Sequence, residues 1–213
     1  MSDWQTALTK ICKMYSKSDV EIEWILVGSV ASVLQGCEMT PGDIDIYVKN
    51  QEGVEQFALL LEQYSLCTKS EAADRNNWFS SVEEPTYTET FPSGFTWTKG
   101  RWMIEEMEVE VVNISQSAGI PDSLDGDGIW EGGKYIWAFS KNLDFGSLTV
   151  PVVPLEIQLE SNLRRNREER IDAIIKKLKT NGYNEAFISK ALSTEHLSFF
   201  VSEMRAGSLH LKC

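Results

Sequence analysis

The sequence predicts an α+β fold: a mixed β-sheet flanked by helices and followed by a C-terminal helical region. Strand-type segments (Ile22–Val27, Asp43–Val48, Met107–Val111) alternate with helical ones along the first three quarters of the chain. Beyond Pro154 the apolar periodicity is helical throughout. With 213 residues, 42% of them hydrophobic, the chain is long enough for one large core plus a small appendage. We accordingly divide it into a sheet-bearing domain, 1–153, and a helical region, 154–213, packed on it.

Trp4, Leu8, Ile11 and Tyr15 recur at helical spacing and predict a first helix capped by Ser2 or Asp3. The strand Ile22–Val27 breaks at Gly28-Ser29, and Val30–Leu34 reads as a short helix ended by Gly36. Thr40-Pro41-Gly42 is a turn. Asp43–Val48 alternates as a strand, and Gln56–Leu66 has the period of a helix. Residues 68–94 carry a weak pattern and read as loop with short strands. A hairpin is expected around Lys99-Gly100, joining Phe95–Thr98 to Arg101–Ile114, then a flexible acidic loop over 115–133. Tyr135–Phe139 and Ser147–Val153 suggest a second hairpin. Helices follow over Leu155–Leu163, Glu168–Leu178, Asn184–Leu192 and Thr194–Met204.

Composition narrows the function. The chain has 20 basic and 32 acidic residues, and residues 1–160 carry −16 while 161–213 carry +4. A basic face is what phosphate neutralisation on a nucleic acid needs, so this acidity disfavours nucleic acid as a partner. The longest uncharged apolar run, Trp24–Leu34, falls far short of the roughly 20 residues that span a bilayer. With no secretory signal pattern, a cytoplasmic location without membrane association is expected. Cys12, Cys37, Cys67 and Cys213 are scattered, and His196 and His210 lie in a helix and the tail. Neither set has metal-ligand spacing, so the chemistry falls to carboxylates.

Asp43 and Asp45 stand at i and i+2 of one strand and project from the same face. Adjacent carboxylates repel, and a divalent cation between them removes that cost. Oxygen ligands of this kind suit Mg2+ or Mn2+, which keep waters and also bind substrate phosphates. Gly28-Ser29 opens a helix directly after an apolar strand, where backbone N–H groups receive phosphate. Thirteen residues separate Ser29 from Asp43, enough for a short helix to return the chain to the same end of the sheet.

The string ILVGSVASVLQG followed by PGDIDIYV resembles the signature of the DNA polymerase β-like nucleotidyltransferase superfamily. It is most similar to the small single-chain branch that contains antibiotic nucleotidyltransferases and those of toxin–antitoxin systems. Looser similarity runs through 107–113 and through the helical segment 151–180. The resemblance implies a catalytic domain over 1–153 and transfer of a nucleoside monophosphate from a nucleoside triphosphate such as ATP to a hydroxyl of a small-molecule acceptor, with release of pyrophosphate. Asp43 and Asp45 would ligate Mg2+, and Gly28 and Ser29 would hold the phosphates. A third carboxylate on a neighbouring strand, Glu110 in preference to Glu108, would complete the catalytic and metal set. Glu stands there where Asp is commoner in the family. The alternatives are a toxin-type enzyme acting on tRNA or protein, and a nucleotide- or partner-binding module without turnover.

Two further groups stand out. Arg164, Arg165, Arg167 and Arg170 read first as a solvated face paired with Glu168, Glu169 and Asp172, and second as a nucleotide contact. Lys99, Arg101 and Lys134 read first as solvated hairpin charges, and second as a contact of one of them with the triphosphate. Trp78, Trp97, Trp102, Trp130 and Trp137 fall in weakly patterned segments and are assigned to the core ahead of a ligand pocket.

Overall fold

The computed structural model describes residues 3–69 and 77–208. Its centre is the strand β1 (Trp24–Val27), four consecutive buried apolar residues, as expected of a strand covered on both faces. Around it runs a seven-stranded mixed sheet in the order β3-β4-β5-β2-β1-β7-β6. The other strands are β2 (Asp43–Val48), β3 (Tyr87–Thr90), β4 (Thr96–Ile104), β5 (Met107–Gln116), β6 (Lys141–Phe145) and β7 (Leu148–Val152). β2 pairs antiparallel with β1 and parallel with β5, whereas β7 runs parallel to β1.

The strict alternation of β2 buries Ile44, Ile46 and Val48 and leaves Asp43, Asp45 and Tyr47 on the other face. β5 matches it, with Met107, Val109 and Val111 buried. The buried face packs on α1 (Asp3–Lys17) and α3 (Gln51–Leu60), which bring Leu8, Ile11, Val54 and Phe57 into one continuous core. α3 starts earlier than its periodicity suggests because Asn50 caps it, its side chain accepting from the Gly53 amide at 2.9 Å. A second core joins α5 (Leu155–Arg164), α6 (Glu168–Asn181), α7 (Glu185–Ala191) and α8 (Thr194–Ser208). α5 belongs to both cores: Ile157 enters the first, and Leu155 and Leu159 enter the second. No helix among the described residues is long and apolar enough to cross a membrane.

Three local expectations are corrected. The hairpin does not turn at Lys99-Gly100. β4 runs straight through them, and the turn is Glu105-Glu106, both left-handed with φ of 51° and 62°. Gly100 serves the interior instead, since a Cβ there would collide with the ring of Trp102, which is fully buried. Tyr135–Phe139 is not a strand: Ile136–Phe139 forms one helical turn, α4, and the hairpin is β6–β7 around Gly146. The acidic loop is pinned rather than flexible. Arg164 donates to the carbonyls of Pro121 and Asp127 at 2.6 and 2.7 Å, and Asp127 bridges to Ser193.

Of the five tryptophans, Trp78, Trp102 and Trp130 are interior, whereas Trp97 and Trp137 are half-buried. Burial pushes the thiol of Cys12 up to about 12 and that of Cys37 to about 11, so both are inert packing groups. Cys213, His210 and Ser2 lie outside the described residues.

Gly100→Ala is expected to cost about 1–3 kcal/mol by forcing the Trp102 ring from its place. Gly42→Ala, where nothing lies within 4 Å of the new methyl, is the matched control. Urea unfolding of the two variants checks this, and equal midpoints would remove the packing role given to Gly100.

Candidate active site

Of the sequence-predicted residues, Gly28, Asp43 and Asp45 meet where β1, β2 and α2 (Gly28–Leu34) converge. Gly28 follows β1 with φ of 66°, and a Cβ there would collide with the Asp45 carboxylate. Glycine is therefore demanded by the approach of Asp45 as much as by the turn. The Gly28 N–H donates to Glu131 Oε1 at 3.0 Å, and its carbonyl accepts from Gln158 Nε2 at 2.9 Å.

Gly28, Asp43 and Asp45 line a cavity of about 170 Å³ together with Tyr47 and Glu131. Its remaining charged wall is Arg165, Arg167 and Arg170. These come from the α5–α6 corner, where Asn166 takes a left-handed conformation at φ of 50°, a state Asn tolerates. That kink aims three guanidiniums at the carboxylates. Arg165 and Arg167 remain exposed, as expected of a solvated face, but among the described residues they do not pair with Glu168, Glu169 or Asp172. Arg164 alone is committed to an ion pair, with buried Glu160 at 2.7 Å. Arg165, Arg167 and Arg170 have no direct ion-pair partner among the described residues.

The electrostatics follow from this crowding. Part of the Asp45 surface still reaches solvent, yet protein surrounds its carboxylate. Burial first, then the charges of Asp43, Glu110 and Glu131, push the Asp45 carboxyl up to about 8, with Arg170 opposing. Burial, followed by Arg170 and Arg165, presses the Arg167 guanidinium below its ordinary value. Both groups are short of counter-charge: one calls for a cation, the other for an anion.

Ser29, Glu108 and Glu110 stand outside the cavity wall. Ser29 is buried, and its hydroxyl has no hydrogen-bond partner among the described residues. Glu110 faces Asp45 across the β2–β5 register but is gripped by Lys99 Nζ at 2.9 Å and Arg101 Nε at 2.7 Å. Burial raises its carboxyl, and the two cations outweigh burial and hold it below the ordinary range. Arg101 also reaches Glu108 at 3.2 Å. Lys99 and Arg101 are therefore structural partners of these acids rather than solvated hairpin charges.

The arrangement can be compared with known proteins. The chain superimposes on the crystal structure of a putative nucleotidyltransferase from Thermotoga maritima with a TM-score of 0.51. Identity is 19%, over 84% of this chain and 94% of that one. The fold is that of a nucleotidyltransferase. No protein-family model and no curated protein matches the chain.

Within that fold, the donor set can be tested against a metal ion. Asp43 and Asp45 supply two hard oxygen donors, and Mg2+ is commonly held by one or two carboxylates plus substrate phosphates. The residues present fit that mode. They do not form an all-protein cage: among the described residues no three Asp, Glu, His or Cys side chains gather to hold an ion.

Three residues of the site went unnoticed in the sequence. Glu131 was one acid among many in a polar loop; it is buried, with its N–H donating to Ser161 Oγ at 3.1 Å. Gln158, fully buried, hydrogen-bonds Gly28, Ser32 and Glu131 at once. Asn162 lines the cavity. A signal did exist: Gln158, Ser161, Asn162 and the C-cap Arg165 recur at i, i+3, i+4 and i+7, a polar stripe along a helix buried from Leu155 to Asn162.

Between the unfolded value of 3.8 and about 8, Asp45 binds more protons in the native state than in the unfolded chain. Stability should therefore fall as pH rises through that window. Asp45→Asn is expected to flatten the fall and to be more stable than the parent at pH 8 than at pH 5. Thermal midpoints in chelator across pH 4–9 check the sign, and a parent and variant of identical slope would remove the buried-carboxylate account.

Proposed function

We propose that this chain is a Mg2+-dependent nucleotidyltransferase that moves a nucleoside monophosphate from a nucleoside triphosphate to a hydroxyl of a small-molecule acceptor. One observation carries the reading: the paired carboxylates Asp43 and Asp45 share a cavity with three arginines that have no ion-pair partner among the described residues. Such a cavity suits a polyanion that brings a divalent cation with it.

Asp43 and Asp45 would hold the ion. When bound, it neutralises charge on the phosphates and on the entering and leaving oxygens. Arg167 and Arg170, nearest the carboxylates in charge terms, bind and orient the phosphate tail, and Arg165 closes the wall by Tyr47. The acceptor oxygen forms a bond to the α-phosphorus, the bond from that phosphorus to the bridging oxygen breaks, and pyrophosphate leaves with the electron pair. The hydroxyl proton passes to a carboxylate. Glu110 is held ionised by Lys99 and Arg101 and is thereby a poor base. Glu131, whose side chain lines the cavity, is the better placed acceptor.

A second reading, nucleotide binding without turnover, is favoured by the same neutralised Glu110. Transfer of α-phosphate label to small hydroxylated acceptors, tRNA or protein separates the two, and also tests the acceptor class. Asp43→Asn is expected to lower transfer at least about 1000-fold while the protein stays folded. Undiminished activity in that variant removes the assignment. Stabilisation by Mg2+ and nucleoside triphosphate with no transfer to any acceptor would favour the second reading. Arg167→Ala and Arg170→Ala should each weaken nucleoside triphosphate binding about tenfold or more in calorimetric titrations.

A further inference from the structure

The cavity that holds Asp43 and Asp45 is too small for a whole nucleotide, and a larger one of about 550 Å³ lies beside it. The two are successive compartments of one groove. β2 passes from the first into the second at Tyr47, which lines both. The loop after Trp130 does the same, placing Glu131 in the first and Gly132–Lys134 in the second. The sheet face continues too: Val112, in register with Tyr47, and Ile114 form the floor of the larger compartment, with Ile136 and Trp137 beside them. At Gly132 a Cβ would come within 2.6 Å of Trp130 and 2.7 Å of Ile114, so bare peptide lies flat against the sheet there.

The groove is polarised from end to end. Arg167 and Arg170 act on Asp43 and Asp45 at one end, and at the other Val112, Ile114, Ile136 and Trp137 form an apolar floor beside Glu23, Lys49 and Lys134. The cations at that end have partners: Lys49 pairs at 2.8 Å with Glu23, which also lines the compartment, and Lys134 lies over the Tyr135 ring at 4.9 Å. Successive same-face positions on a strand lie about 6.6 Å apart, so Asp43, Asp45 and Tyr47 span about 13 Å, and Lys49 follows just past the end of β2. A nucleoside triphosphate has the same order of parts: a polyanionic tail, the α-phosphate, then sugar and ring.

Resting on the nucleotidyltransferase reading above, we propose that the 550 Å³ compartment receives the nucleoside of the donor nucleotide, with its base packed between Trp137 and the Val112–Ile114 floor. Three donors along this wall are spent within the fold. Asn113 Nδ2 donates to the Val48 carbonyl at 3.1 Å, the Gly133 N–H to the Trp130 carbonyl at 2.9 Å, and the Lys134 N–H to Asp122 at 2.9 Å. Recognition therefore rests on ring packing and volume more than on the base edge, and ATP and GTP should bind alike.

The test is calorimetric titration of the full chain with ATP, GTP and inorganic tripolyphosphate, each with Mg2+. Wild type should bind ATP and GTP within about tenfold of each other, and both at least about tenfold more tightly than tripolyphosphate. Val112→Trp, which fills the compartment, and Trp137→Ala, which removes its ring, should each weaken both nucleotides about tenfold or more and leave tripolyphosphate unchanged. Tripolyphosphate binding also reports that each variant is folded. Nucleotide affinity unchanged in both variants overturns the inference. So does a rise confined to the acceptor KM, which would give the compartment to the acceptor. If wild type binds neither ATP nor tripolyphosphate, the nucleotide reading itself fails and this inference falls with it.

Discussion

Two like charges on one strand face, brought under cover, are the constraint on which the rest of this site depends. Asp43 and Asp45 lie there because the alternation of β2 must bury Ile44 and Ile46. Asp45 then crowds Gly28, where any side chain would collide with it. The nearby positive charge is provided by the α5–α6 corner, where Asn166 accepts a left-handed conformation and Arg165, Arg167 and Arg170 line the cavity. Without those guanidiniums, three carboxylates, Glu131 included, would share one small cavity with no opposing charge.

The helical region is accordingly more than an attachment to the sheet. α5 is buried along most of its length and carries a polar stripe toward the site. Gln158 links α2 to the Glu131 loop, Ser161 accepts from the Glu131 backbone, and Arg165 reaches the cavity. Such a buried polar network is favourable when its members are satisfied, and it sets the relative placement of α2, the loop and the arginines. The Glu160–Arg164 pair, with His196 at 2.8 Å from Glu160, secures the loop from the far side of the same helix.

The charge asymmetry along the chain also takes on structural meaning. The first 160 residues carry −16 and the remainder +4, and the cavity joins Asp43, Asp45 and Glu131 from the former to three arginines from the latter. Most of the acidic surplus lies elsewhere and is unrelated to this site. An acidic protein can still hold a polyanion when a local basic wall and a divalent cation face it, which is a different demand from binding a long nucleic acid.

The mixed α+β architecture, the strand face of Asp43 and Asp45 and the glycine turn at Gly28 were all legible in the sequence. Each is a local matter, set by alternation of period two or by a backbone that admits no side chain. The hairpin turn was not, because Glu105-Glu106 bears none of the usual turn residues, and Gly100, which does, is shaped by a contact with Trp102. Nor were Glu131 and Gln158, which are ordinary polar residues until packing removes them from water, nor the placement of the arginines, which depends on the α5–α6 corner. Glu110 shows the same limit in reverse: its position opposite Asp45 follows from register, whereas its pairing with Lys99 and Arg101 depends on which neighbours β4 supplies. Sequence determined which side chains share a face; tertiary structure alone decided which charges meet across elements, because that depends on distance and burial between residues far apart in the chain.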